Sequence, residues 1–512
     1  MVEFMPAERH ARATHTKPAA INYVAAIFAA LGSFLFGYDS GIIGSVISDS
    51  YTHFHHYFGN PSANTTGAVV SSFAGGAFAG ALLAGSTADK FGRKRTIQLG
   101  ALISVIGCGL QTGAVNVAML IVGRVIAGVS IGVLSMIVPV YQAEISPPHA
   151  RGLLSGWTQL MIVIGFLVAN WVGYGCQFLG NNAQWRIPLA IQIIPAVGLL
   201  FGMFVLPYSP RWLAKQGRHE EARATLFRLH GGRRNAREDI VQSEFDEMLD
   251  QIRWEEENLI TSYKDLVSSR PNIHRTLCGC LVQSMCQWTG VNVNNYFGPT
   301  IYKNLGFTGN DTLLINGISG AWQVVVVWIF IQFLVDRFGR RKPLIIGPIL
   351  MAIFLAWQAA IAQKFSDPSY SNQGVGIAGL ASIFLFSGAF SASFGPVSWI
   401  YQSEIFPMNQ RAYGTAVSTA SNWLNNVIIG QITPIGFDKL GWKYFLIYVV
   451  TNVTNAIVSY FLFPETKHRS LEEIGMLFGD TNVRVYEGPS TAVENDYTNN
   501  KADGPGHYEE KA

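Results

Sequence analysis

Apolar runs long enough to cross a lipid bilayer occupy most of this 512-residue chain. A transmembrane helix needs about 20 mostly apolar residues, because each residue advances the helix by only about 1.5 Å. About twelve such runs lie at 21–47, 67–87, 96–113, 117–140, 153–175, 187–206, 276–300, 312–335, 343–362, 376–402, 412–435 and 442–463. Backbone polar groups in lipid must be satisfied within a helix or a closed barrel, and runs of this length select helices. The sequence therefore predicts an all-α membrane protein with 12 transmembrane helices.

The composition agrees with a membrane protein and argues against other classes. Only 13% of the residues are charged and 49% are hydrophobic, whereas soluble domains carry about 25% charged residues. The net charge of +3 is too small to indicate a nucleic-acid partner. The sequence shows no nucleophile–base set, phosphate-binding loop or cluster of metal ligands, so we predict a protein that is no enzyme and needs no cofactor or metal. We expect a monomer in the lipid membrane.

A polar segment divides the apolar runs into two sets of six. We therefore predict a cytosolic N-terminal tail (1–20), an N-terminal six-helix half (21–206), a cytosolic helical linker (207–275), a C-terminal six-helix half (276–463) and a cytosolic, largely disordered C-terminal tail (464–512). Basic residues concentrate after even-numbered runs, as at Arg93 and Arg340, and are scarce after odd-numbered ones. The positive-inside rule then places both termini and the linker in the cytosol.

The two halves repeat each other in sequence. The stretch "DKFGRKR" (89–95) returns as "DRFGRRK" (336–342), and "YQAEISPPHAR" (141–151) returns as "YQSEIFPMNQR" (401–411). Each copy follows the same run of its half, either the second or the fourth. Two six-helix halves in parallel repeat are the layout of major facilitator transporters.

Further short motifs resemble those of one transporter family. They are "GYD" (37–39), "GRVIAG" (123–128), "LPYSPRWL" (206–213), "QWTGVN" (287–292), "FGPVSWIYQSEIFP" (394–407) and "PETK" (464–467). Together with the repeated loops they resemble the sugar porter family of the major facilitator superfamily, over residues 20–470, and its fungal hexose and pentose transporters in particular. The resemblance implies uptake of a monosaccharide across the plasma membrane by alternating access, in which one site opens to each side in turn.

The resemblance also assigns a gating role to charged residues at the cytosolic helix ends. Ion pairs between helices would form among them when the transporter faces outward, and would separate as the halves rock. These residues are Asp89, Arg93, Glu144, Arg151, Arg211, Asp336, Arg340, Glu404, Arg411 and Glu465. The alternative is that they only set the topology. Tyr208 stands where this family usually has Glu, and we expect it to weaken the network of the first half.

A sugar site needs amides and hydroxyls that both donate and accept hydrogen bonds, and an aromatic platform. By residue type and by resemblance, the candidate sugar ligands are Phe36, Gln159, Gln287, Asn292, Tyr296, Trp399, Asn422 and Asn426. The alternative for each amide is helix–helix packing, worth about 0.6 kcal/mol in membranes.

Three departures make this site less polar than is usual in the family. Cys286, Phe166 and Val324 stand at positions that often carry polar side chains. A substrate hydroxyl left without a partner is costly, so a less polar pocket discriminates strongly between sugars. We therefore expect an atypical sugar, such as the pentose arabinose, rather than glucose.

Asp39 is the only acidic residue inside the first apolar run, and Arg124 is the only arginine inside the fourth. A charge in a membrane span is costly unless it is paired, so it indicates function by default. Proton-coupled sugar porters carry Asp at this position, and the resemblance therefore implies symport with a proton through Asp39 and Arg124. Two alternatives stay open. One is a passive uniporter with a structural Asp39–Arg124 pair, and the other is a sugar sensor that signals without transport.

Overall fold

The computed structural model describes residues 20–145, 151–229, 238–258, 263–367, 370, 372–407, 410–467, 469 and 471–479. The predicted N-terminal tail and most of the C-terminal tail lie outside these ranges. The side chains of Arg151 and Asp336, two of the predicted gating residues, are also outside the described part.

Helices account for almost all of the described chain. They are α1 (Ala20–Val46), α2 (Thr52–Tyr57), α3 (Ala63–Phe91), α4 (Arg93–Thr112), α5 (Val117–Ile145), α6 (Arg151–Cys176), α7 (Ala183–Ile191), α8 (Ile193–Val205), α9 (Pro210–Lys215), α10 (His219–Leu229), α11 (Glu238–Asn258), α12 (Arg270–Gln287), α13 (Val291–Asn304), α14 (Asp311–Ile329), α15 (Val335–Phe338), α16 (Arg341–Lys364), α17 (Gln373–Ser391), α18 (Phe394–Ile405), α19 (Arg411–Leu440), α20 (Tyr444–Leu462) and α21 (Leu471–Phe478). A π-helical turn at Phe330–Leu334 joins α14 to α15, and 3-10 turns lie at Tyr263–Val267 and Gly441–Lys443.

This architecture confirms the predicted all-helical fold. Every predicted run coincides with one helix or with two consecutive ones, and the broken runs are α7–α8, α12–α13, α14–α15 and α17–α18. By length and apolar composition alone, 8 stretches of the described residues are able to cross a membrane, and the stretch at Tyr413–Leu462 contains two predicted spans.

The spans form two groups, α1–α8 and α12–α20, each with its own buried core. Ile137 and Leu199 lie in the first core, and Leu344 and Phe386 lie in the second. The two groups meet mainly where α3 packs against α19 and α6 packs against α14. Between them along the chain, α9–α11 form a small separate apolar cluster.

Small residues allow α3 and α5 to approach at backbone distance. A Cβ atom on Gly128 would lie 2.0 Å from the carbonyl oxygen of Phe73, and one on Gly132 would lie 2.1 Å from that of Ala77. Only glycine fits at such distances, as is common between membrane helices. This close approach brings Arg124, one helical turn before Gly128, over the ring of Phe73.

The two groups also touch at the end that the charge pattern predicts to face outside. Lys303 forms an ion pair with Asp49 across the interface, and the Ser50 hydroxyl donates to the carbonyl oxygen of Gly309 at 3.3 Å. Nearby, the amide of Gln431 donates to Asn64 Oδ1 at 2.8 Å and accepts from the Ser71 hydroxyl at 2.9 Å. The end that the charge pattern predicts to face outside is therefore closed in this structure.

The exposed Asp49–Lys303 pair should bias this closed state only slightly. Exposed ion pairs contribute about 0.2–1 kcal/mol, so Lys303→Ala should raise the apparent affinity for external sugar by about 1.4- to 5-fold. Uptake kinetics in cells will test this, with the exposed Lys439→Ala at the same end as the control. Raising the ionic strength should shift the native protein toward the variant, because salt screens exposed charges. A larger effect, or one insensitive to salt, would contradict this role.

Candidate substrate and proton site

The predicted sugar ligands of the seventh apolar run (276–300), called span 7 below, lie on both sides of a break in the helix. α12 ends at Gln287, and α13 begins at Val291 after Gly290, whose φ of +90° is a conformation that favours glycine. A second irregularity follows at Phe297, with φ −120° and ψ 19°. The break turns the first residues of α13 toward the end of α12, so that Gln287 and Asn292 can meet although they are five residues apart.

Four of the predicted amides form one buried network. Gln287 donates to Asn422 Oδ1 at 2.9 Å, and its Oε1 accepts from Asn292 and, at 3.3 Å, from Asn426. Asn426 in turn donates to the Tyr296 hydroxyl at 3.1 Å. All five side chains are buried. Gln287 is therefore the centre of a polar cluster that joins α12, α13 and α19.

One further member of this network is absent from the predicted residues. Gln283 is fully buried and accepts a 2.6 Å hydrogen bond from Asn422. Its Nε2 donates to the carbonyl oxygen of Ser398 at 3.5 Å, which connects the network to α18. The available signal was its spacing, because Gln283 and Gln287 are four residues apart and share one helix face.

The remaining predicted ligands lie outside this hydrogen-bond network. Phe36 packs on Trp423, the residue after Asn422, with ring centroids 5.1 Å apart. Gln159 on α6 and Trp399 on α18 are half-buried, and no hydrogen bond among the described residues joins either to the network. Two spans of the first half and one of the second therefore carry candidate ligands that form no hydrogen bond with the amides among the described residues.

The three departures from the family pattern also differ in their positions. Cys286 is buried in the apolar core of the second half and lies near the start of α18. Phe166 is half-buried against Gly41 of α1, where a Cβ would lie 2.8 Å from its ring. Val324 is half-buried on α14. Cys286 thus makes the core of the second half less polar, whereas Phe166 fills space between α1 and α6.

The structure brings Asp39 and Arg124 into a buried ion pair. Arg124 Nη1 lies 2.6 Å from Asp39 Oδ1, and both residues are only 1% exposed. Arg124 Nε also donates to the carbonyl oxygen of Val69 at 3.3 Å, and its guanidinium carbon lies 4.5 Å from the centroid of the Phe73 ring. The pair thereby links α1, α3 and α5.

The second carboxylate oxygen of Asp39 is in a different situation. Asp39 Oδ2 is buried, and no described residue offers it a hydrogen bond. A charged oxygen without a partner is costly when it is buried, and a proton on that oxygen would remove its charge. The pair is also close to the amide network, because α13 packs directly against α1, and a Cβ on Gly44 of α1 would lie 2.8 Å from the carbonyl oxygen of Tyr296.

At the predicted cytosolic end of the first half, Arg93 joins two helices. Its Nε lies 3.1 Å from Glu144, and its Nη1 lies 3.1 Å from Asp89. Tyr208 contacts two other basic residues of α4, and its hydroxyl accepts a 3.2 Å hydrogen bond from Arg95. The Lys94 ammonium lies 4.9 Å from the centroid of the Tyr208 ring. The tyrosine thus contacts basic residues through its ring and hydroxyl, where a glutamate would use a carboxylate.

The second half repeats this arrangement. Arg340 Nη2 lies 2.9 Å from Glu404, the counterpart of the Arg93–Glu144 pair. Glu465 accepts from the backbone N–H groups of Arg340 and Arg341, at 2.9 and 3.0 Å. Arg411 donates to the carbonyl oxygen of Phe406 at 3.4 Å. Arg211 of the first half is half-buried at the start of α9. In both halves the Arg–Glu pair joins helices of the same half.

Glu465 lies outside the spans, and its ionisation should stabilise the protein. Burial raises the pKa of its carboxyl, but four backbone N–H donors outweigh burial and hold that pKa below the ordinary value of 4.5. A lowered folded-state pKa contributes stability that is present above the unfolded pKa and is lost as pH falls through the folded value. Glu465→Gln should therefore lower the melting temperature of the purified protein at pH 7 by about 2 °C, for roughly 1 kcal/mol lost.

This difference should begin to shrink below about pH 4.5, where the unfolded carboxyl takes up protons while the native one is still ionised, and it should be lost once the pH has fallen through the lowered folded-state pKa. Glu473→Gln, an exposed acid on α21, serves as the control. A deficit that stays the same from pH 7 down to about pH 3 would mean that the charge of Glu465 contributes nothing.

Comparison with known proteins agrees with this geometry. Residues 25–478 match the family described as "Sugar (and other) transporter". The high-affinity glucose transporter of Kluyveromyces lactis is 36% identical over 473 residues, which cover 90% of this chain and 85% of that protein. A probable quinate permease of Aspergillus fumigatus is 33% identical over 476 residues, which cover 89% and 87%.

Solved structures with the same fold include a sugar symporter. The proton:xylose symporter XylE, bound to 6-bromo-6-deoxy-D-glucose, matches with a TM-score of 0.72 and 26% identity, over 90% of this chain and 99% of that one. A partially occluded, inward-open form of XylE from E. coli gives a TM-score of 0.73 at 27% identity, over 88% and 100%.

Two repeated six-span halves around a polar centre define a membrane transporter of the major facilitator fold. The family match identifies it further: the chain belongs to the sugar porter family. The resemblance read from the motifs is thereby confirmed, and the protein is a transporter and not an enzyme.

Proposed function

We propose that this protein takes up a neutral monosaccharide across the plasma membrane by alternating access, coupled to a proton through Asp39. The observation that supports the proposal most is the buried amide network centred on Gln287, which lies beside the buried Asp39–Arg124 pair. The network supplies the groups that a sugar needs, and the pair supplies a carboxylate that can take up a proton.

The chemistry of the network favours a neutral polyol. Its amides hydrogen-bond to one another, and a sugar hydroxyl, which both donates and accepts, can take the place of either partner. The guanidinium of Arg124 is engaged by Asp39 and Val69, so it is not available for an acidic substrate. We therefore favour a pentose or hexose over an anion such as quinate, although a probable quinate permease is among the relatives.

Among neutral sugars, the less polar surroundings favour a pentose. Phe166 occupies space between α1 and α6 where a polar side chain is usual, so a substrate with fewer hydroxyls leaves fewer groups without partners. Arabinose is our leading candidate. Because glucose transporters are among the relatives, hexoses should be tested beside pentoses.

The orphaned carboxylate oxygen of Asp39 supports the proposal of proton coupling. When the site is open to the outside, a proton on Oδ2 would neutralise this oxygen, and a helix movement that alters the Arg124 contact would release the proton inside. A closed, permanent Asp39–Arg124 pair would instead make the protein a passive uniporter. The titration of Asp39 during the cycle distinguishes the two.

The test is uptake of radiolabelled sugars by cells that lack sugar transporters. A panel of pentoses, hexoses and sugar acids is added while external pH is recorded. Symport predicts that one neutral sugar accumulates and that the medium becomes alkaline. Uptake that stops at equilibration without a pH change would establish a uniporter. If no sugar enters although the protein reaches the membrane, the sensor hypothesis replaces transport.

A further inference from the structure

A cavity of ≈ 200 Å³ lies in the second half, separate from the amide network. It sits at the predicted outer end, where the last turns of α13, α16 and α19 meet the start of α20. Ile301, Leu305 and Phe445 form buried walls, and the exposed Ser366 lies at its mouth. None of the predicted sugar ligands lines this cavity.

One polar side chain in this cavity is unusual. Gln358 is 0% exposed, and neither its Oε1 nor its Nε2 has a hydrogen-bonding partner among the described residues. Burying an amide without partners costs about 1–3 kcal/mol. Gln358 lines the cavity, so a ligand inside the cavity that reaches its amide would supply the missing partner.

The size of the cavity argues for more than one water molecule. A single water needs only about 10–15 Å³ on this measure, whereas an apolar cavity of about 150 Å³ holds benzene. A volume of ≈ 200 Å³ therefore fits one six-membered ring with substituents, and it is smaller than the roughly 300 Å³ of a site for a drug-sized ligand.

The lining restricts the chemistry of this ring. All lining residues are uncharged, so the ligand is neutral. The aromatic rings of Phe365, Phe437 and Trp442 offer flat apolar faces, while Gln358 and Asn304 offer amides. Flat faces beside amides suit a ring with one apolar face and several hydroxyl groups.

We propose that this cavity is a second ligand site, which binds a neutral hydroxylated ring of monosaccharide size. Its position gives it a regulatory route to the amide network. α13 carries Asn292 and Tyr296, α19 carries Asn422 and Asn426, and the cavity touches the outer ends of both helices. A ligand held there fixes the outer end of α13 relative to α19, and so influences how readily the outer gate opens.

The test uses a cysteine at the mouth of the cavity. Full-length Ser366→Cys protein in lipid nanodiscs is labelled with a maleimide, and the labelling rate is measured with and without D-glucose. Saturating D-glucose should slow the labelling about tenfold, as expected for about 90% occupancy. Adding Gln358→Leu should abolish the protection, and Trp442→Leu should weaken it. The chain with Ser366 intact gives the background from native cysteines.

Two comparisons make the result decisive. Adding Gln287→Ala should leave the protection intact, because Gln287 belongs to the other site. Labelling does not require transport. The labelling result can therefore refute this second site without refuting the proposed function, and the uptake test can refute the proposed function without refuting this site. Three results would overturn the proposal: no protection by D-glucose, full protection in Gln358→Leu, or equal protection by cyclohexanol, which would mark an unspecific apolar cavity.

Discussion

Replacing Asp39 by asparagine is expected to convert the protein from an accumulating carrier into an equilibrating one. The amide oxygen of the introduced asparagine can still accept the hydrogen bond that Arg124 Nη1 now gives to Asp39 Oδ1 at 2.6 Å, so the helix contacts should persist. The variant lacks a group that can carry a proton. One proton moving inward contributes about 2.3 kcal/mol per 100 mV, which corresponds to an accumulation ratio of about 50-fold.

The measurement is the steady-state ratio of internal to external radiolabelled sugar, together with external pH. In Asp39→Asn the ratio should fall to unity and alkalinisation should stop, while exchange of internal for external sugar continues. Asp438→Asn removes an exposed acid at the outer end and should change neither readout. Asp39→Glu keeps a carboxylate and should retain part of the coupling. Accumulation that survives in Asp39→Asn would show that the proton travels elsewhere.

The second large effect is expected from Gln287→Ala. Gln287 hydrogen-bonds to Asn422, Asn292 and Asn426, so its removal leaves buried amides without their partner as well as removing a ligand for the sugar. A loss of about 1.4–3 kcal/mol in substrate binding corresponds to an increase in the half-saturating sugar concentration of about 10- to 150-fold. Initial rates of uptake over a range of sugar concentrations will measure it.

Asn425→Ala is the matched control for packing. Asn425 precedes Asn426 on α19 but bonds to other groups, namely Trp288 Nε1 at 2.8 Å and the Ser284 hydroxyl at 3.0 Å. It serves helix–helix packing, so its loss should leave the half-saturating concentration within about threefold, in line with the roughly 0.6 kcal/mol typical of such bonds. If both variants weaken uptake equally at equal surface expression, Gln287 is a packing residue and the proposed sugar site is wrong.

The spans were predictable from the sequence because apolar length is a local property. The run expected at 343–362 is the helix Arg341–Lys364. The partnership of Asp39 and Arg124, 85 residues apart, was predictable for a different reason: ionised side chains are so scarce within the spans that few pairings exist. Scarcity restricts the choice in a membrane in a way that it does not in a soluble protein.

The details of the site were not predictable in the same way. Which amides meet depends on how each helix is rotated and where span 7 breaks, and neither follows from local pattern. The spacing of Gln283 from Gln287 places both on one helix face, but its bond to Asn422 depends on how α19 packs against α12. Tyr208 was expected to weaken the network of the first half, and its contact with Arg95 depends on the packing of a loop against α4.

The mutual hydrogen bonding of the amides has a kinetic consequence. Because Gln287, Asn422 and Asn426 satisfy one another when no sugar is bound, the empty sugar site carries few unpaired amides through the change of state. Its return step should therefore be no slower than the loaded step. Sugar on the far side of the membrane would then give little trans-acceleration, and net uptake would run at nearly the rate of exchange.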